Sequence, residues 1–186
     1  MGLKLCIHRG THQIGGIAAE ISTATTRILI DMGDELSLDS NFVSAPLNIS
    51  GVTDANGHCD AVLFTHYHGD HTGQMLRIRP EIPLYAGALA KDIMLQSAEH
   101  GGHKDDALSA RMQTIQTFSP GEPFLIGDIQ ITPFCIDHSA ADSYRCCRLR
   151  CPDSPAQTRT GSQGTGKSHP YNGLPLQSHA PNGTGL

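Results

Sequence analysis

The apolar positions of residues 1–144 predict strands alternating with helices. Leu3 to His8 predicts a short strand ending at Arg9-Gly10. Residues 17–23 and 27–31 predict two more, joined as a hairpin by the Ala24-Thr25-Thr26 turn. Residues 60–65 predict a buried strand, because its centre, Ala61-Val62-Leu63-Phe64, is continuously apolar. Residues 73–78 suit a short helix that Pro80 stops, and Leu84-Tyr85-Ala86 suits a small strand before a helix from about residue 88 to 98. Residues 105–117 place Leu108, Met112 and Ile115 on one helical face, with Asp105-Asp106 at the end where the helix dipole favours acids. Phe124 to Ile126 and Ile129 to Ile136 predict a last hairpin around Gly127-Asp128. The order implies an α/β domain.

After Tyr144 the pattern stops. Residues 145–186 contain no Ile, Val, Met or Phe, but hold 6 Gly, 5 Pro, 4 Ser and 4 Thr. Such a segment buries too little apolar surface to offset its ordering entropy, so a disordered tail is expected over 145–186. The change falls in mid-domain rather than at a linker. That fits an out-of-frame or truncated continuation better than a native tail.

Charge divides at the same place. Residues 1–144 carry 8 Lys/Arg against 17 Asp/Glu, and residues 145–186 carry 5 against 1. An acidic body argues against a broad, non-specific grip on phosphate backbones, so any nucleic acid must be held by a local site. No apolar stretch is long enough to span a bilayer, and no secretory leader is visible; the expectation is a cytoplasmic protein without membrane partners. The six cysteines form neither a CxxC pair nor an evenly spaced framework, which excludes a cysteine zinc knuckle and a secreted disulfide scaffold. Gly161 to Ser168 matches a P-loop letter for letter, but Pro155 before it and Pro170 after it exclude the strand and helix that a P-loop requires.

The chemistry concentrates in Phe64-Thr65-His66-Tyr67-His68-Gly69-Asp70-His71-Thr72-Gly73, directly after the buried strand. His66 and His68, two apart in an extended segment, point the same way and can chelate one metal. Asp70 and His71 follow where the chain turns into a helix, and they can face a second. Zinc accepts both donor types, and a catalytic site leaves one position for water. A second stretch, Asp137-His138-Ser139-Ala140-Ala141-Asp142-Ser143-Tyr144, follows the last predicted strand.

The HxHxDH spacing resembles the metallo-β-lactamase superfamily, and the "DHSxxDSY" stretch resembles its ribonuclease J (β-CASP) branch. The resemblance covers residues 1–144 and includes the opening from Gly10 to Gly16 and the segment Ile28 to Gly33. It implies the N-terminal half of an αββα sandwich with metals at one sheet edge. It implies a first zinc on His66, His68 and His138, and a second on Asp70 and His71. It implies hydrolysis by a metal-activated water, with Asp70 orienting or deprotonating that water and RNA as the substrate. Asp31 resembles a position that braces the metal loop from behind.

The chain departs from the family after His138. The family supplies a bridging aspartate in a later Gly-Asp pair, whereas Gly33-Asp34, Gly69-Asp70 and Gly127-Asp128 all precede His138. The first zinc site is thus complete at three histidines, and the second is half-built. A small-molecule hydrolase, such as a glyoxalase II-like thioesterase or a lactamase, and a catalytically silent metal-binding fragment remain open beside the nuclease.

Overall fold

The computed structural model describes residues 2–39, 41–100, 105–136 and 143–150. Nine strands and three helices are present among them: β1 (Lys4–Arg9), β2 (Ala18–Ser22), β3 (Arg27–Ile30), β4 (Ala61–Leu63), α1 (Gly69–Thr72), β5 (Leu84–Gly87), α2 (Ala88–His100), α3 (Asp106–Gln113), β6 (Gln116–Phe118), β7 (Phe124–Ile126), β8 (Ile129–Ile136) and β9 (Ser143–Arg150). Strands β1 to β6 form one sheet in sequence order. Its first three strands are antiparallel, and β3 to β6 are parallel. Strands β7 to β9 form a second, antiparallel sheet.

The β2–β3 hairpin closes on a side chain. Thr23 Oγ1 accepts the backbone N–H groups of Thr25 at 3.1 Å and Thr26 at 3.0 Å, which fixes the tight turn. Strand β4 lies inside the parallel region and is buried at all three positions, which is why it reads as an unbroken apolar run.

Alternation along the central strands feeds two cores. Leu29, Val62, Phe64, Leu84 and Ala86 face one way and pack with Met94, Met112 and Ile115 of the helical side. Ile28, Ala61 and Leu63 face the other way and pack with Ile126, Ile129 and Ile131 of the second sheet. The layers therefore run helices, sheet, sheet, the half-sandwich that the resemblance implies. Asp128, in the β7–β8 turn, accepts from the Thr23 hydroxyl at 2.7 Å and donates its N–H to Thr26 Oγ1 at 3.0 Å, which ties the second sheet to the β2–β3 turn.

Three expectations need correction or refinement. The helix expected over 105–117 ends at Gln113, and Gln116–Phe118 is strand β6 on the free edge of β5. Ile115 shares the buried face of Met112 because the chain enters the strand there, not because the helix continues. Within the helix expected over 73–78 the chain forms only a 3₁₀ turn, Met75–Arg77, and the short α1 precedes it. Strand β9 crosses the boundary expected at residue 144 and pairs with β8 out to Arg150, since the long β8 otherwise leaves its backbone groups on that side unpaired. The rest of the tail, residues 151–186, lies outside the described residues. Among the described residues, no helix is long and apolar enough to cross a membrane.

Candidate metal centre

Strand β4 carries the chain to Thr65 and His66 at the carboxyl end of the parallel sheet, beside the end of β3. Asp31, the first residue beyond β3, has φ of 61°, the left-handed region that Asp enters more readily than most residues. Its N–H donates to the Leu63 carbonyl at 2.9 Å, and the next N–H, that of Met32, donates to the His71 carbonyl at 2.8 Å. This bend turns the Asp31 carboxylate, 1% exposed, under the histidine loop. Oδ1 accepts the Thr65 N–H at 2.7 Å, and Oδ2 accepts the Thr65 hydroxyl at 2.8 Å. Nδ1 of His71 lies 2.8 Å from the same Oδ2.

These contacts assign the donor at each ring. A carboxylate only accepts, so His71 Nδ1 donates to Asp31, and Nε2 is the ring nitrogen left to face an ion. The single hydroxyl proton of Thr65 goes to Asp31, so His66 Nδ1, 3.1 Å from Thr65 Oγ1, donates to that oxygen. His66 also then offers Nε2 as a ligand atom. One buried carboxylate thus orients two imidazoles, directly and through Thr65, as metal-binding histidines require of their surroundings.

The ligand atoms converge. Those of His66, Asp70 and His71 all lie within 4.8 Å of one another. His66 Nε2 and His68 Nδ1 are 3.1 Å apart. Two nitrogens on a tetrahedral zinc, each about 2.0–2.1 Å from it, stand roughly 3.3 Å apart, so this pair fits one ion. His71 Nε2 lies 3.4 Å from Asp70 Oδ2. Nitrogen and carboxylate oxygen together suit zinc and related divalent ions.

Backbone contacts clasp the loop. Asp70 O accepts from Ile17 N at 3.1 Å, Gly69 O from Asp34 N at 3.0 Å, and Met32 O from Gln74 N at 3.0 Å. Gly33 runs so close to the loop that a Cβ there would overlap the Asp70 carbonyl. Arg9 fastens the outside, donating Nε to Gly16 O at 3.1 Å, Nη1 to Ala45 O at 2.8 Å and Nη2 to Gly33 O. Away from the centre, burial pushes the Cys59 thiol up to about 11, so this cysteine is no nucleophile.

The structure thus brings together Asp31, His66, His68, Asp70 and His71. His138 lies outside the described residues. The grouping of His66 with Asp70 and His71 cuts across the expected division between two metals; two ions about 4 Å apart would share one cleft and its ligands. Sequence reasoning passed over Thr65, Gly33 and Arg9. Thr65 stands directly before His66, and Gly33 follows Asp31 by two, but nothing local shows that the two segments touch.

Residues 26–160 match the family described as "Beta-lactamase superfamily domain". A protein of unknown function from Enterococcus faecalis V583 shares the fold at a TM-score of 0.67 and 18% identity, over 80% of this chain and 41% of that one. The metallo-beta-lactamase fold protein YhfI from Bacillus subtilis does so at a TM-score of 0.50 and 16% identity, over 82% of this chain and 60% of that one. The chain therefore spans about two-fifths to three-fifths of the length of these two structures. No curated protein matches it.

Proposed function

This chain belongs to the beta-lactamase superfamily, and from that premise we propose that it is a zinc-dependent hydrolase of the ribonuclease J type, cleaving RNA phosphodiester bonds. The observation that carries the metal-dependent part is the shared bracing of His66 and His71 by one buried carboxylate, Asp31. Such bracing fixes ring orientation and presents lone pairs to an ion. His66, His68 and His138 would hold one ion, and Asp70 and His71 would contribute to a second. An ion held there would polarise a phosphoryl oxygen and lower the pKa of water. Asp70, at the helical turn, would orient that water and accept its proton. The RNA part rests on the stretch Asp137 to Tyr144.

A small-molecule hydrolase is the second reading, favoured by the acidic balance of residues 1–144. Zinc-loaded full chain incubated with labelled single-stranded RNA, a thioester and a β-lactam separates the two. RNA cleavage that disappears in His66→Ala supports the nuclease. Turnover of the thioester or lactam alone supports the second reading, and no turnover of any substrate supports a catalytically silent metal-binding protein.

A further inference from the structure

We infer that a flat slot lined by Tyr85, Phe118, Phe124 and Glu122 holds one base of the RNA strand, guanine in preference, while the scissile phosphate lies at the metal centre. The inference rests on the ribonuclease reading above and adds a base-recognition site to it. Rings from both sheets meet there: Tyr85 from β5, Phe118 from the end of β6 and Phe124 from β7. Phe124 lies nearly parallel to both partners, at 24° and 5.7 Å from Tyr85 and at 17° and 5.6 Å from Phe118. With Thr117, Ser119 and Glu122 they line a cavity of about 240 Å³. About 150 Å³ already accepts benzene, so one heterocyclic ring system fits. Near-parallel rings present a flat surface, which suits a planar base, whereas a cage for a methylated ammonium sets its rings around the cation.

Charge decides which part of the strand enters. Among the described residues that line the cavity only Glu122 is charged, and its carboxylate repels phosphate and accepts from donors. The loop that carries it is held in place. Gly121, at φ 75°, donates its N–H to the Pro133 carbonyl at 2.8 Å, and Pro120 and Pro123 flank the Gly121-Glu122 pair. Guanine offers N1–H and N2–H side by side on one edge, and one carboxylate accepts both. The same edge of uracil sets two carbonyls around a single N–H. The slot also reaches the sheet edge that carries the metal centre. Leu63, Tyr85 and Gln116 form one row across β4, β5 and β6. His66 and Ser119 each follow that row by three residues, two strands apart. At about 4.8 Å per strand, the metal loop and the slot are roughly 10 Å from one another along that edge. One strand can therefore give its phosphate to the cation and a nearby base to the rings.

The test measures, by fluorescence anisotropy, how the zinc-loaded full chain binds two fluorescein-labelled pentaribonucleotides, UUGUU and UUUUU. Phosphorothioate linkages suppress cleavage, so binding is read apart from turnover. UUGUU is expected to bind about ten-fold more tightly, the discrimination that one bidentate contact gives. Glu122→Gln, at an exposed position, is expected to bring the two affinities to within about two-fold, because its amide oxygen faces the donors beside an NH₂ that opposes them. Equal affinities in the parent overturn the slot and leave the nuclease reading standing. A preference for UUGUU that Glu122→Gln retains also overturns it. Guanosine that competes as tightly as UUGUU binds would make the occupant a free nucleoside, which overturns the assignment to RNA. If neither pentamer binds to protein shown to hold zinc, the RNA reading fails, and the slot falls with it.

Discussion

The imidazole of His71 and the carboxylate of Asp31, 40 positions apart, meet across 2.8 Å, Nδ1 to Oδ2, inside the protein. The parallel pairing of β3 with β4 makes the meeting possible, because it brings the ends of the two strands side by side. One carboxylate then serves the fold and the ligands together. It closes a bend at φ 61° and orients two rings, His71 directly and His66 through Thr65.

Asp31→Asn separates those duties. Asn tolerates the left-handed bend, but its amide cannot accept from Thr65 N, Thr65 Oγ1 and His71 Nδ1 together. Zinc affinity, measured by competition with a chromophoric chelator, is expected to fall about 10- to 100-fold. An affinity within about two-fold of the parent, well short of that loss, would mean that Asp31 serves the fold alone.

Gly33→Ala is expected to destabilise the protein by about 3 kcal/mol, the upper end of overpacking costs, because the new methyl meets the Asp70 carbonyl. Gly69→Ala is the control, since nothing lies within 4 Å of a Cβ there. It is expected to stay within about 0.5 kcal/mol of the parent. Urea midpoints for the two variants provide the comparison, and equal midpoints would refute the close approach.

The layered fold was legible in the sequence because its strands are short apolar runs with distinct flanks. Ala61-Val62-Leu63 is one, and the Gly127-Asp128 hairpin sits between two others. The run from Met112 to Phe118 was not, because its helix and strand bury side chains on the same side and so read as a single period. At the metal centre, His66, His68, Asp70 and His71 are legible since their spacing is local. The bridging role of Thr65 depends on a partner 34 positions away, and the close approach of Gly33 depends on another loop. Spacing along the chain carries neither.

Glu20 predicts an acid-sensitive contact. Its hydrogen bond from Arg27, 2.7 Å long, holds the carboxyl below the usual glutamate range against an opposing effect of burial, and His8 adds to the lowering. A carboxyl lowered on folding stabilises the native state above the ordinary glutamate range. That contribution fades as pH falls through the lowered value. The stability difference between the parent and Glu20→Gln should therefore be largest near neutral pH and shrink on acidification. A difference that stays constant across the acid range in urea titrations would show that the pair has no linkage to pH.

Metal loading is expected to read out the whole centre at once. Only the native state holds His66, His68, Asp70 and His71 together, so zinc at 100 times its dissociation constant should add about 2.7 kcal/mol of stability. For a chain of this size that raises the melting temperature by roughly 5–10 °C. Elemental analysis should find close to one tightly held ion per chain if, as proposed, His66, His68 and His138 form the one complete ligand set. His68→Ala should abolish both the ion and the stabilisation, since it removes one of two nitrogens 3.1 Å apart. Two tightly held ions would mean that Asp70 and His71 find a further ligand within this chain. A zinc-induced stabilisation that survives His68→Ala would place the binding elsewhere, among side chains other than the His66–His68 pair.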